Sequence, residues 1–281
     1  MTRLIARPPR DRTDPGAIVT ARRVRRLPHW VLALLAPALI LTLWQVGAMS
    51  GVVSTRLIPT PADIAGTIAN LATEGELVGH VLSTTTRVVA GFALGATVAT
   101  MLGAATGVSE RFGALFDPTL QALRNIPSIA WTPLFILWFG IFETSKVLMI
   151  ALGVFFPVYL TFSGAIATVD RRLVEVGRVY GLGTTSLIRR ILLPASLPTY
   201  VIGLRNGLGL GWMFVVAAEF LGASQGLGYL LVDGQQTGRP AVIIASIVMF
   251  ALLGKITDRL LASSGARFTG WQDGFTRETI A

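Results

Sequence analysis

Few side chains in this 281-residue chain are equipped for chemistry, and most of those few sit in apolar surroundings. There is no cysteine, and His29 and His80 are the only histidines, which excludes a Cys- or His-cluster metal, redox or nucleophilic centre. No G-x4-G-K-[ST] phosphate-loop run is present, since Gly254-Lys255 is followed by Ile256. What remains is a set of polar groups inside apolar stretches: Arg124 with Asn125, then Arg205, Trp212 and Glu219. A planar guanidinium matches oxyanion geometry, which makes Arg124 with Asn125 a candidate anion contact. The alternative for Arg124 is to cap a helix or snorkel toward a headgroup region. On one helix Arg205 and Glu219 would share a face to within about 40° yet lie about 21 Å apart, so they cannot pair with each other. Arg205 falls near one end of its stretch. Glu219 falls near the other, as a gate or partner contact or as a structural pair.

The elements that must position these groups are long apolar helices. Charged residues make up 14% of the chain, against about 25% in soluble domains, and mean hydropathy is +0.65, which excludes an ordinary soluble enzyme. A bilayer-crossing helix needs about 20 mostly apolar residues. Six stretches qualify: Leu27–Thr55, Val88–Ser109, Asn125–Phe142, Val147–Val169, Pro198–Gly222 and Pro240–Leu261. The sequence therefore predicts an all-α, polytopic membrane protein of six spans. Pro127 and Pro133 interrupt the third, and such a break must be buried in protein or line a cavity.

Net charge is +9, which in a soluble chain would point to nucleic acid; here it reads as a topology signal, and no nucleic-acid partner is expected. With the N-terminus in the cytoplasm, eighteen Lys and Arg fall inside and three (Arg56, Lys146 and Arg239) outside. Both ends are then cytoplasmic, and the first apolar stretch is too long for a cleaved signal. The expected organisation is a basic, disordered tail over 1–27, attracted to lipid headgroups, and a first span over 28–50. An external loop over 51–85, a five-helix core over 86–262 and a cytoplasmic tail over 263–281 follow. Within the loop, Thr60-Pro61-Ala62-Asp63 opens a short interfacial helix. Gly203, Gly207 and Gly211 form a stripe suited to close helix packing.

The loop over 170–198 is neither disordered nor polar enough to be a linker. A helical stretch Leu173–Tyr180, the turn Gly181-Leu182-Gly183 and a second stretch Thr184–Leu193 stopping at Pro194 make a knob with an apolar side of Leu187, Ile188, Ile191 and Leu192. It is either a connector packed on the helix ends or a docking surface.

Residues 175–194, EVGRVYGLGTTSLIRRILLP, carry Glu175, Gly181, Ile191, Leu193 and Pro194. This resembles the E-A-A-x3-G-x9-I-x-L-P loop of permease subunits of binding-protein-dependent ATP-binding-cassette importers, with Val176 and Gly177 in place of two alanines. The runs Leu123-Arg124-Asn125-Ile126-Pro127, Pro133–Gly140, Ala218–Ser224 and Gly226–Leu230 are similar to the aliphatic sulfonate, taurine and nitrate branch, closest to the sulfonate type. The resemblance covers about residues 57–262. It implies a type I importer permease fold working as a homodimer in the bacterial inner membrane. Two ATPase subunits, which bind ATP-Mg, would dock on a coupling helix in this loop, and an external binding protein would deliver cargo and touch residues such as Glu219. Glu175, Val176, Gly177, Gly181, Ile191, Leu193 and Pro194 would form the ATPase-coupling surface. Arg124, Asn125, Arg205, Trp212 and Glu219 are the candidate pathway and gate residues. No catalytic, cofactor or metal site is expected in the chain itself. Rival readings are the same architecture carrying nitrate, taurine, bicarbonate, a thiamine-precursor pyrimidine or an aromatic acid, and an ATP-independent secondary transporter or channel.

Overall fold

Thr60 opens the first helix of the main body through a reciprocal cap. Its hydroxyl accepts from the Asp63 backbone N–H at 3.1 Å, while its own N–H donates to the Asp63 carboxylate at 3.0 Å. The Thr60 hydroxyl, then its backbone N–H, hold the Asp63 carboxyl below its usual range. The computed structural model describes residues 29–50, 54, 57–220, 222–268 and 270. The expected basic tail over 1–27, and most of the C-terminal tail, lie outside them. The chain divides into two units, Met1–Trp44 and Gln45–Ala281. The first contributes most of helix α1 (His29–Met49) to the described residues.

The second unit carries α2 (Pro61–Thr73), α3 (Glu76–Val108), α4 (Glu110–Arg124), α5 (Thr132–Phe139), α6 (Glu143–Ala167), α7 (Arg171–Val179), α8 (Thr184–Leu187), α9 (Leu193–Phe220), α10 (Leu227–Gln236) and α11 (Pro240–Phe268). No strand occurs among the described residues. Four continuous helices are long and apolar enough to cross a membrane: Glu76–Val108, Glu143–Ala167, Thr184–Phe220 and Pro240–Phe268. Leu34–Met49 and Ile129–Phe139 are shorter apolar helical stretches.

Three boundaries differ from the sequence expectation. α3 is helical from Glu76, so the expected loop over 51–85 ends earlier. The third stretch is not one helix over 125–142. α4 starts at Ser109, whose hydroxyl accepts from the Phe112 N–H, and runs to Arg124. The chain then breaks at Asn125–Pro127, makes a 3-10 turn over Ser128–Trp131 and continues as α5 until Gly140 at φ 74°. Pro127 forces the break, because the residue before a proline is pushed out of the helical region. Third, Pro194 does not stop the second stretch of the knob. A π-turn over Ile188–Leu192 lets the Leu193 N–H reach back to the Ile188 carbonyl, and α8 runs through it into α9. This widened turn relieves the clash a proline ring makes with the carbonyl four residues earlier.

The core lies where α3, α6 and α9 meet, around Val88, Ile150, Val154, Val158, Tyr159 and Val215. The glycine stripe of α9 faces α6 within this subunit. A Cβ on Gly203 would lie 2.8 Å from Thr161 and one on Gly207 2.7 Å from Val158, so only glycine permits this spacing. A smaller cluster of Leu77, Leu227, Leu230 and Val242 joins α3, α10 and α11.

Candidate functional site

The knob is built by local rules. The Asp170 carboxylate caps α7 by accepting from the Arg172 N–H at 2.9 Å. At the other end Gly181 takes φ 74°, a left-handed conformation that favours glycine, and the Leu182 N–H returns to the Gly177 carbonyl at 3.0 Å. That closes α7 and turns the chain into α8, whose N-cap is Gly183. Gly177 is buried, and a Cβ there would lie 2.5 Å from the Ile191 Cδ1. The two arms of the knob thus interlock, with Leu187 buried beside them.

The outer face of α7 is apolar and unpartnered: Leu173, Val176, Val179 and Tyr180 are exposed, Val179 at 86% and Tyr180 at 81%. Glu175 is exposed on the same helix and held by the Arg171 Nε at 3.1 Å. Leu193 is half-buried and Pro194 exposed at the start of α9. Behind α7 lies a cleft of about 770 Å³, lined by Thr106, Glu110, Asp117, Glu175, Arg178 and Leu192 among others.

The intramembrane charges are largely neutralised inside the subunit. Glu219 is 1% exposed, and its carboxylate accepts from Arg87 Nη1 at 2.7 Å, from the Thr84 hydroxyl at 2.8 Å and from the Gly228 N–H at 2.7 Å. Arg87 also donates to the Gln225 carbonyl at 2.6 Å and, through Nε and Nη2, to Glu143 at 2.5 and 2.8 Å. Lys146 completes the group at 3.0 Å from Glu143. The Thr84 hydroxyl accepts from the Leu227 N–H and His80 Nδ1 from the Gly226 N–H, so the chain entering α10 is pinned onto α3. Of the two roles weighed for Glu219, the geometry is that of a structural pair. Burying these ions unpaired would be costly, about 2.5–3.5 kcal/mol for a charge at a helix centre.

Arg205 and Trp212 both tie α9 to α11. Arg205 forms a bidentate pair with Asp258, both contacts at 2.8 Å, and the Trp212 Nε1–H donates to the Thr257 hydroxyl at 2.9 Å. Trp212 is 7% exposed and packs edge-on against Phe250, which places it in the core and not on an open surface. Arg124 and Asn125 are exposed at the break between α4 and α5. Asn125 donates to the Gln121 carbonyl at 3.0 Å, and Arg124 has no partner among the described residues.

Sequence reasoning missed Asp258, Glu143 and Thr84. The signal for the first network was present: Arg87 at the edge of one apolar stretch and Glu219 within another are opposite charges that each need a partner.

Comparison with known proteins agrees with this architecture. The sequence model of the family "Binding-protein-dependent transport system inner membrane component" matches residues 91–270. The chain is 41% identical over 260 residues to the putative aliphatic sulfonates transport permease protein SsuC of Bacillus subtilis (strain 168), covering 91% of this chain and 94% of that one. It is 37% identical to the Escherichia coli (strain K12) protein of the same description, covering 83% and 87%. To the nitrate import permease protein NrtB of Synechococcus elongatus it is 30% identical, covering 81% and 85%. A helical core of this length, with its knob between the second and third long helices and a match that spans both, makes the chain a member of the binding-protein-dependent transport system inner membrane components, the permease subunits of ABC transporters.

Proposed function

We propose that this chain is the membrane-crossing subunit of an ATP-driven importer for small organic sulfonates, working as a homodimer with two ATPase subunits and an external binding protein. In this reading six segments cross the bacterial inner membrane, α4 and α5 together forming the third, with both termini and the knob in the cytoplasm. The ATPases seat on α7, and their closure on ATP moves the helices between inward- and outward-facing states. ATP-Mg stays on the ATPase.

The observation that carries the reading is the knob. It presents apolar Leu173, Val176, Val179 and Tyr180 on the same short segment as Glu175, braced by the Gly177–Ile191 contact. A rigid, amphipathic element with an unpartnered apolar face is what a partner's groove can hold. Sulfonate is favoured as cargo by the names of the relatives with 41% and 37% identity. Nitrate is the second reading, favoured by the likeness to NrtB.

In the reconstituted complex, Glu175→Arg or Gly181→Pro should abolish uptake while the subunit still inserts. Normal substrate-stimulated ATPase activity in either variant would refute the coupling role. Uptake by the permease alone, with no ATPase present, would refute the ATP-driven class.

A further inference from the structure

Arg124, at the break inside the proposed third segment, has no counter-charge among the described residues. Arg87 is held by Glu219 and Glu143, Lys146 by Glu143, and Arg205 by Asp258. Lys255 lies one helical turn before Asp258 on α11. Arg124 is exposed and has no hydrogen bond or ion pair among the described residues. The acid nearest to it on its own helix and face, Asp117, is two turns away and accepts from the Tyr159 hydroxyl.

Two contacts bracket its level along α6. Asp117 of α4 meets Tyr159 of α6, and the Thr132 hydroxyl at the start of α5 meets the Met149 sulfur at 3.4 Å. Arg124 lies between those levels, about 10 Å along α4 from Asp117, and therefore opposite the middle of α6 (Glu143–Ala167). With α6 crossing the bilayer as proposed above, about half of the roughly 30 Å hydrocarbon core separates that level from either headgroup region, farther than one side chain extends, so snorkelling would not serve it. The helix also ends at this residue, and Asn125, Ile126 and Pro127 are exposed with it. Irregular backbone at membrane depth is tolerated where it is buried in protein or lines water, and a lone charge facing lipid is disfavoured. Both conditions turn this face away from lipid.

We propose that Arg124, presented at the break between α4 and α5, is an anion-binding station inside the passage, where its guanidinium takes two oxygens of a small permanently ionised oxyanion, a sulfonate headgroup. The ligand class rests on the sulfonate reading above. The planar fork matches two oxygens of one tetrahedral headgroup, and the side chain has no acid among the described residues to displace first. A single water-facing contact of this kind holds an anion weakly enough to release it onward, which conduction requires.

The chain lacks cysteine, so a thiol placed at this position is the only one in the subunit. In the assembled importer in proteoliposomes, the thiol introduced by Arg124→Cys should react with a charged, water-soluble methanethiosulfonate reagent. With radiolabelled ethanesulfonate and the binding protein, Arg124→Gln should lower uptake about ten- to a hundredfold and Arg124→Lys should retain an intermediate rate. Arg111→Gln, at the exposed start of the same helix, should stay within about twofold of the parent. A thiol that stays unlabelled, or full uptake by Arg124→Gln beside a working parent complex, overturns the station alone. So does an Arg124→Lys variant no better than Arg124→Gln. A parent complex that imports no ethanesulfonate overturns the sulfonate reading and the ligand assigned here with it.

Discussion

Arg87 and Glu219 show what a buried charge demands of its neighbours. Glu219 is satisfied from three directions, and Arg87 divides its donors between two carboxylates and a carbonyl. Removing Arg87 leaves Glu219 buried without a counter-charge, typically a loss of about 3–5 kcal/mol; removing Glu219 costs less because Arg87 keeps Glu143, and removing both costs less than the sum. Glu219→Ala and Arg87→Ala should each lower the unfolding temperature of the detergent-solubilised complex. The double variant should recover part of that loss, and strict additivity would show that the pair is uncoupled. Arg205→Ala should have a smaller effect, because the Arg205–Asp258 pair is half-exposed, with side chains 44% and 35% accessible.

Helix spacing tells apart two glycines that look alike in sequence. Gly66 of α2 has nothing within 4 Å of an added Cβ, while a Cβ on Gly95 of α3 would strike the Ala151 backbone of α6. Gly66→Ala should therefore stabilise slightly, by about 0.5–1 kcal/mol, and Gly95→Leu should destabilise by about 1–3 kcal/mol or more. Thermal unfolding of the two variants side by side would check this, and equal effects would contradict the packing. The same division decides how much was legible in the sequence. The cap at Thr60 and Asp63 and the turn at Gly181 are set by residues within a few positions of one another, and the pattern shows them directly. The Gly177–Ile191 contact was implied only by the spacing of the motif. The stop placed at Pro194 failed because local propensity cannot foresee a π-turn that keeps a proline inside a continuous helix. The proline break expected near Pro127 is present, but the hydrogen bond that ties the preceding helix α4 to the core, Tyr159 to Asp117, joins residues remote in sequence. Glu219 and Arg205 were recognised as needing partners, but those partners are remote in sequence, on α3 and α11.

At the scale of the molecule, stability is concentrated where α3, α6 and α9 meet, and thins toward α2, α4 and α7. The first three bury most of the core, whereas α2, α4 and α7 bury one residue each, Ile64, Gly113 and Gly177. Hydrogen exchange on the importer should show the slowest amides in α3, α6 and α9. α7 should exchange quickly in the isolated permease and become protected when the ATPase is added. No gain of protection there would count against α7 as the docking element.

The pairing of charges also has an electrical consequence. Arg87 and Lys146 against Glu143 and Glu219, and Arg205 against Asp258, each sum to zero. Carrying one elementary charge through a 100 mV potential amounts to about 2.3 kcal/mol, but a neutral cluster that shifts as a body moves no net charge through the field. Under the proposed alternating access, rocking of this core would be nearly indifferent to membrane voltage, and the electrical work of a cycle would fall on the unpaired Arg124 and on the anion it is proposed to hold.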